Sequence, residues 1–75
     1  MKQTRKLREY EIDIYWDEQD QIFVAEIPEL SGCAAHGDSR AEALFNAEVA
    51  ISNWLRAARE IGQKIPKPRS RMAAA

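Results

Sequence analysis

Apolar and polar side chains alternate from residue 10 to 16, with Tyr10, Ile12, Ile14 and Trp16 on one side and Glu11, Asp13 and Tyr15 on the other. A period of two over this length predicts a strand with one face buried. Asp17, Glu18, Gln19 and Asp20 then form a polar turn, and residues 21–27 make a second β-rich run, so the two runs read as a hairpin. Whether the loop has two residues or four, Ile14 is expected opposite Phe23, Ile12 opposite Ala25 and Tyr10 opposite Ile27, collecting the large apolar side chains on one face. Pro28 lacks a backbone donor and ends the second strand. Residues 29–32 read as a turn, and 33–36 as a short third strand of small side chains over which a helix can lie close.

The period changes after residue 38. Ser39 and Glu42 have the spacing of a capping box, in which the serine hydroxyl takes a first-turn N–H and Glu42 reaches back to the Ser39 N–H. Asp38 suits the positive end of the helix dipole. A helix is expected over 40–61, ending at Gly62 in the left-handed C′ conformation. Leu44, Ala47, Ile51, Leu55 and Ala58 form its core stripe, widened by Trp54 and Ile61. Ile65, Pro66, Lys67 and Pro68 read as an extended exit, either an edge strand or a polyproline-like segment. The elements give an α+β domain, an antiparallel three-stranded sheet with one long helix on one face. A basic arm (1–9) precedes the domain (10–68), and a tail expected to be disordered (69–75) follows it.

Two apolar groups remain once the core is assigned. Phe45 and Val49 fall on the helix side away from the stripe, and Tyr15, Ile22 and Val24 share the sheet face left to solvent. Scattered surface apolar residues are ordinary. Two patches on a chain of 75 residues, a size at which one core supplies little net stability, favour protein interfaces. The sheet patch is expected to join copies of the chain, or the two patches to be divided between self and partner.

Chemistry narrows the picture further. One cysteine, Cys33, allows no internal disulfide, and with His36 as the one histidine a closed four-ligand zinc site cannot be built. Self-association is therefore the expected stabiliser, as a dimer or tetramer. The first residues have no apolar run resembling a signal peptide, and no stretch has the length of a membrane span, so a soluble cytoplasmic protein with no membrane partner is expected.

The net charge of −1 conceals segregation: between Glu9 and Glu60 lie twelve acidic and three basic residues, a formal −9, whereas the flanks carry eight basic residues. An acidic body is suited to a basic partner, while a nucleic-acid-binding body would have the opposite sign. Glu9, Glu11, Asp13, Asp17, Glu18, Asp20, Glu26 and Glu29, on or near the hairpin, are the candidate acidic contacts.

No residue set reads as catalytic. A two-metal nuclease needs carboxylates converging on ions roughly 3.5 to 4 Å apart. Glu11 and Asp13 share a strand face near Glu26, yet a solvated sheet face accounts for the same residues and is preferred. His36 beside Asp38 could be a base and its orienting acid, but no nucleophile accompanies them. Cys33, between Gly32 and two alanines, reads as a small buried residue. No catalytic, cofactor-binding or metal-ligating residue is assigned, and no cofactor is expected.

The run from Ile12 to Pro68 resembles the HicB-like antitoxin family, in its N-terminal domain. The resemblance covers residues 10–68. Its most specific parts are I-P-E-L-S-G at 27–32, G-D-S-R-A-E-A-L at 37–44 and I-P-K-P at 65–68. It implies a β-β-β-α-β unit like a degraded ribonuclease H fold without working catalytic acids. It also implies a HicA-like toxin as partner, a small basic ribonuclease that cleaves messenger RNA and is neutralised when its active-site surface is covered. Members of the family usually continue into a DNA-binding domain, for which residues 69–75 are too few, so sequence-specific DNA binding is not expected here. The alternatives are an orphan oligomeric interaction module and a vestigial metal-dependent nuclease.

Overall fold

A computed structural model describes residues 10–68; the basic arm and the tail expected at 1–9 and 69–75 lie outside the described residues. The elements are β1 (Asp13–Asp17), β2 (Ile22–Glu26), β3 (Ala34–Gly37) and α1 (Arg40–Glu60). The strands form one antiparallel sheet in the order β1-β2-β3, and α1 packs on one face. This is the expected α+β arrangement of three strands and one helix. The closing strand of the β-β-β-α-β order is not formed among the described residues. Instead Ile65 packs against the core and the Tyr10 hydroxyl donates to the Pro66 carbonyl, joining the approach to β1 to the exit from α1. Pro66 and Pro68 have no N–H to give to a ladder.

The hairpin register differs from the expected one by two residues. Ile14 lies opposite Ala25 and Trp16 opposite Phe23, and Tyr10 and Ile12 precede the ladder. The turn sits one residue later than the sequence suggests. Asp17 remains in β1 while its carboxylate accepts the Asp20 N–H at 3.1 Å, and Gln21 turns the chain with a left-handed φ of 55°. A shift by two leaves each side chain on its face, so the division into faces holds although the pairing changed.

After Pro28 the chain makes two tight turns, with Leu30 N–H donating to the Ile27 carbonyl at 3.1 Å and Cys33 N–H to the Leu30 carbonyl at 2.9 Å. Gly32 supplies the positive φ of 76° that this path needs. The loop thereby drives Leu30 into the core, a burial not expected of a turn residue. The Trp54 indole N–H holds the loop from above through the Ser31 carbonyl at 2.9 Å.

Both helix ends follow local chemistry. Ser39 Oγ accepts the Glu42 N–H at 3.1 Å, as expected, but the Glu42 carboxylate accepts the Asp38 N–H rather than that of Ser39. At the other end Gly62, φ 72°, donates to Arg59 and Gln63 donates to Ala58, the two bonds of a Schellman motif.

The core combines Ile27, Leu30, Cys33 and Ala25 with Ala43, Ala47, Ile51 and Leu55. Two residues assigned to the helix stripe fall outside it: Leu44 is 40% and Ile61 73% exposed. Ala43 takes the place of Leu44. The first turn of α1 lies so close to β3 that a Cβ on buried Gly37 would meet Ala43 N at 2.6 Å, and a small side chain is what fits there. Trp16 also departs from the expected core, at 44% exposure. α1 sits mainly over β3 and least over β1, so Trp16 at the β1 edge is covered by the edge-on contact of its ring with Phe23, centroids 5.0 Å apart, rather than by the helix.

Candidate protein-binding surfaces

The open face of the sheet is built by the pleat. Tyr15, Val24 and His36 form one row across the three strands, Asp13, Glu26 and Ala34 the next, and Asp17 and Ile22 a third on the hairpin side. Tyr15 is exposed, and Ile22 and Val24 are half-buried with no helix over them. The expected apolar patch is therefore assembled, and Asp13, Asp17 and Glu26 frame it. Asp13 stands directly opposite Glu26. Like charges in that position oppose sheet formation, so stability gives no reason for the pair. The Tyr15 hydroxyl donates to Glu26 Oε2 at 2.8 Å, and this bond first, then desolvation and the charges of Glu26 and Asp17, hold the phenol above its usual pKa of 10.0.

The remaining acidic candidates divide. Glu18 and Asp20 are exposed at the hairpin tip; Asp20 donates its N–H to the Asp17 carboxylate of the open face, whereas Glu18 accepts the indole N–H of Trp16, from the opposite face, at 3.3 Å. Glu29 stands apart, half-buried, its carboxylate accepting the Glu11 N–H at 3.0 Å. On the opposite side of the molecule Phe45 and Val49 are 66% and 45% exposed on the outer face of α1. The two patches do not merge. Sequence reasoning missed the exposure of Trp16 and Leu44. Their apolar character made them look like core, and the signal against it, the narrow coverage a single helix gives three strands, is tertiary.

Residues considered for catalysis are not brought together. Among the described residues no group of three or more His, Cys, Asp or Glu could hold a metal ion. His36 is exposed on the open sheet face and makes no hydrogen bond to Asp38. Cys33 is buried, and burial pushes its thiol pKa up, which suppresses the thiolate a nucleophile needs. It borders a shallow cleft of about 290 Å³ formed with Pro28, Leu30, Ser31 and Gly32. No described helix is long and apolar enough to cross a membrane.

Comparisons with known proteins place the chain among small proteins of related sequence and fold. A relative from Thermoplasma acidophilum, UPF0150 protein Ta0767, is 34% identical over 50 residues, 67% of this chain and 72% of that protein. UPF0150 protein ssl0259 from Synechocystis sp. is 39% identical over 51 residues, 68% of this chain and 70% of that protein. The crystal structure of TTHA0281 from Thermus thermophilus matches with a TM-score of 0.62 and 25% identity, covering 91% of this chain and 85% of that one. The sequence model described as the HicB_like antitoxin of bacterial toxin-antitoxin systems matches residues 10–74. With a match over most of its length, and the three-stranded sheet and single helix in place, the chain belongs to the HicB-like antitoxin family.

Proposed function

We propose that this protein is the antitoxin of a type II toxin–antitoxin pair and that it binds and neutralises a HicA-like, mRNA-cleaving toxin through the open face of its sheet. The carrying observation is the composition of that face: Tyr15, Ile22 and Val24 framed by Asp13, Asp17 and Glu26, with no Lys or Arg among its described residues. A ribonuclease must present cationic side chains to phosphates, and that surface is complementary to an apolar patch ringed by carboxylates. The apolar centre excludes water, the carboxylates steer and orient the encounter, and the toxin so covered cannot take RNA. The unfavourable Asp13–Glu26 pairing fits this reading, because a basic partner relieves it. Asp20, beside Asp17, extends the acidic surface at the hairpin tip, while Glu18, bonded to Trp16, and Glu29, engaged with the backbone, contribute less. The protein acts by binding rather than catalysis, in the cytoplasm, where its toxin meets messenger RNA.

The test is co-expression with the product of the neighbouring open reading frame, followed by size-exclusion chromatography with light scattering. A complex with a small basic protein is expected. It weakens as salt rises, and Asp17→Lys with Glu26→Lys raises its dissociation constant by about a hundredfold, as loss of charge pairs at an interface does. Absence of a complex at low salt, or one indifferent to these substitutions, overturns the reading.

A further inference from the structure

We infer that the outer face of α1 is where two copies of this chain pair, helix against helix and antiparallel. The side chains on that face are Glu42, Phe45, Val49, Ser52, Arg56 and Arg59, spaced by three or four, and each is exposed. Such spacing makes a continuous seam of the kind along which two helices pack. The content of the seam is directional. Its start is acidic, with Asp38 and Glu42; its middle is apolar, with Phe45 and Val49; its end is basic, with Arg56 and Arg59 outweighing Glu60. Arg40, in the first turn, does not offset the acidic start, because its guanidinium lies over the Phe23 ring on the sheet side, 4.9 Å from the centroid.

A surface of this kind is complementary to itself under a two-fold axis. In such a contact each patch meets its own copy in reverse order. The acidic start of one helix then lies beside the basic end of the other, while Phe45 and Val49 close on their counterparts near the axis. One oxygen of Glu42 caps the helix through the Asp38 N–H, which leaves the other for the partner. A parallel pair would instead set Glu42 against Glu42 and Arg56 against Arg56.

Charge also decides between the two apolar faces. Two copies meeting through the open sheet would bring the carboxylates of Asp13, Asp17 and Glu26 together with no Lys or Arg among that face's described residues to balance them. The helix face carries both signs in separate halves. Because the two faces lie on opposite sides of the sheet–helix sandwich, a dimer formed through α1 leaves both sheet faces outward. This pairing is independent of the toxin reading, and its test uses the protein alone.

Sedimentation velocity of the full chain across a wide concentration range is expected to show a dimer that weakens with salt. Phe45→Asp raises the dissociation constant by at least about tenfold, as removal of a central apolar contact does, and Arg56→Glu weakens it as well. Both residues are exposed, so helical circular dichroism is retained in each variant. Tyr15→Asp, on the sheet face, leaves the dimer unchanged. A monomer at every concentration, a dimer that survives Phe45→Asp, or one that Tyr15→Asp dissolves overturns the inference.

Discussion

Gly37 marks the closest approach of sheet and helix. Its backbone has an ordinary φ, so the demand for glycine is one of space: an added Cβ would stand 2.6 Å from Ala43 N and 2.9 Å from Glu42 C, both backbone atoms of the first helical turn. Neither can give way without moving α1 off β3. Gly37→Ala is expected to cost roughly 1 to 3 kcal/mol, the range for overpacking, read as a fall in melting temperature. A second residue-scale prediction concerns Tyr15. Its phenol pKa is raised above 10.0, chiefly by the hydrogen bond to Glu26. The stabilisation from this bond is thus present below pH 10 and is lost as pH rises through the higher folded pKa. Followed by NMR of the Tyr15 ring, the titration midpoint should lie above 10.0 and move down toward it in Glu26→Gln.

The helix is the element whose ends are most completely specified by nearby residues. Ser39 satisfies the Glu42 N–H, Glu42 satisfies that of Asp38, and Gly62 allows the closing bonds at the other end. Ser39→Ala removes one acceptor from exposed donors and should cost about 1 kcal/mol in chemical denaturation, within the usual range for caps. The hairpin is less determined by its own residues. Its strands and faces are readable from the alternation of Ile12, Ile14 and Trp16 with Asp13 and Tyr15, but its register depends on whether Asp17 joins the strand. That choice follows from the left-handed Gln21, a residue type with no preference for this conformation, so no local signal announces it.

At the scale of the whole molecule, a small core must close around residues drawn from distant parts of the chain, loops included. Tyr10 from before β1, Ala25 from β2, Cys33 from the loop and Ile51 from α1 belong to one cluster. Cys33 borders the shallow cleft yet is only 7% exposed, so its thiol is expected to be reached chiefly when the domain opens. Alkylation of its thiol in the native protein should be slow and should accelerate in urea. Ile51 is fully buried. Ile51→Ala, at about 2 kcal/mol or more, should speed labelling by roughly 30-fold when opening and closing are fast. Equal labelling rates in the two proteins would show that Cys33 is reached by a local movement.

The amino-acid sequence by itself determined the kinds of element, the residues on each strand face and both helix caps, since period and capping chemistry operate over a few bonds. It also marked the apolar side chains left over from the core, Tyr15, Ile22 and Val24 on the sheet and Phe45 and Val49 on the helix, which are the surfaces proposed for binding. The tertiary structure decided what depends on distance between elements. Leu44 and Trp16 are apolar and periodic, yet they are half outside because α1 leans toward β3 and comes to rest against Gly37. Leu30 is polar-flanked and lies in a turn, yet it is buried because the loop folds under Trp54. The closing strand was decided in the same way: Ile65 and Pro66 engage the core and Tyr10 without entering the sheet. A sequence records which faces are apolar, but how far one helix reaches across three strands is settled only when the side chains meet.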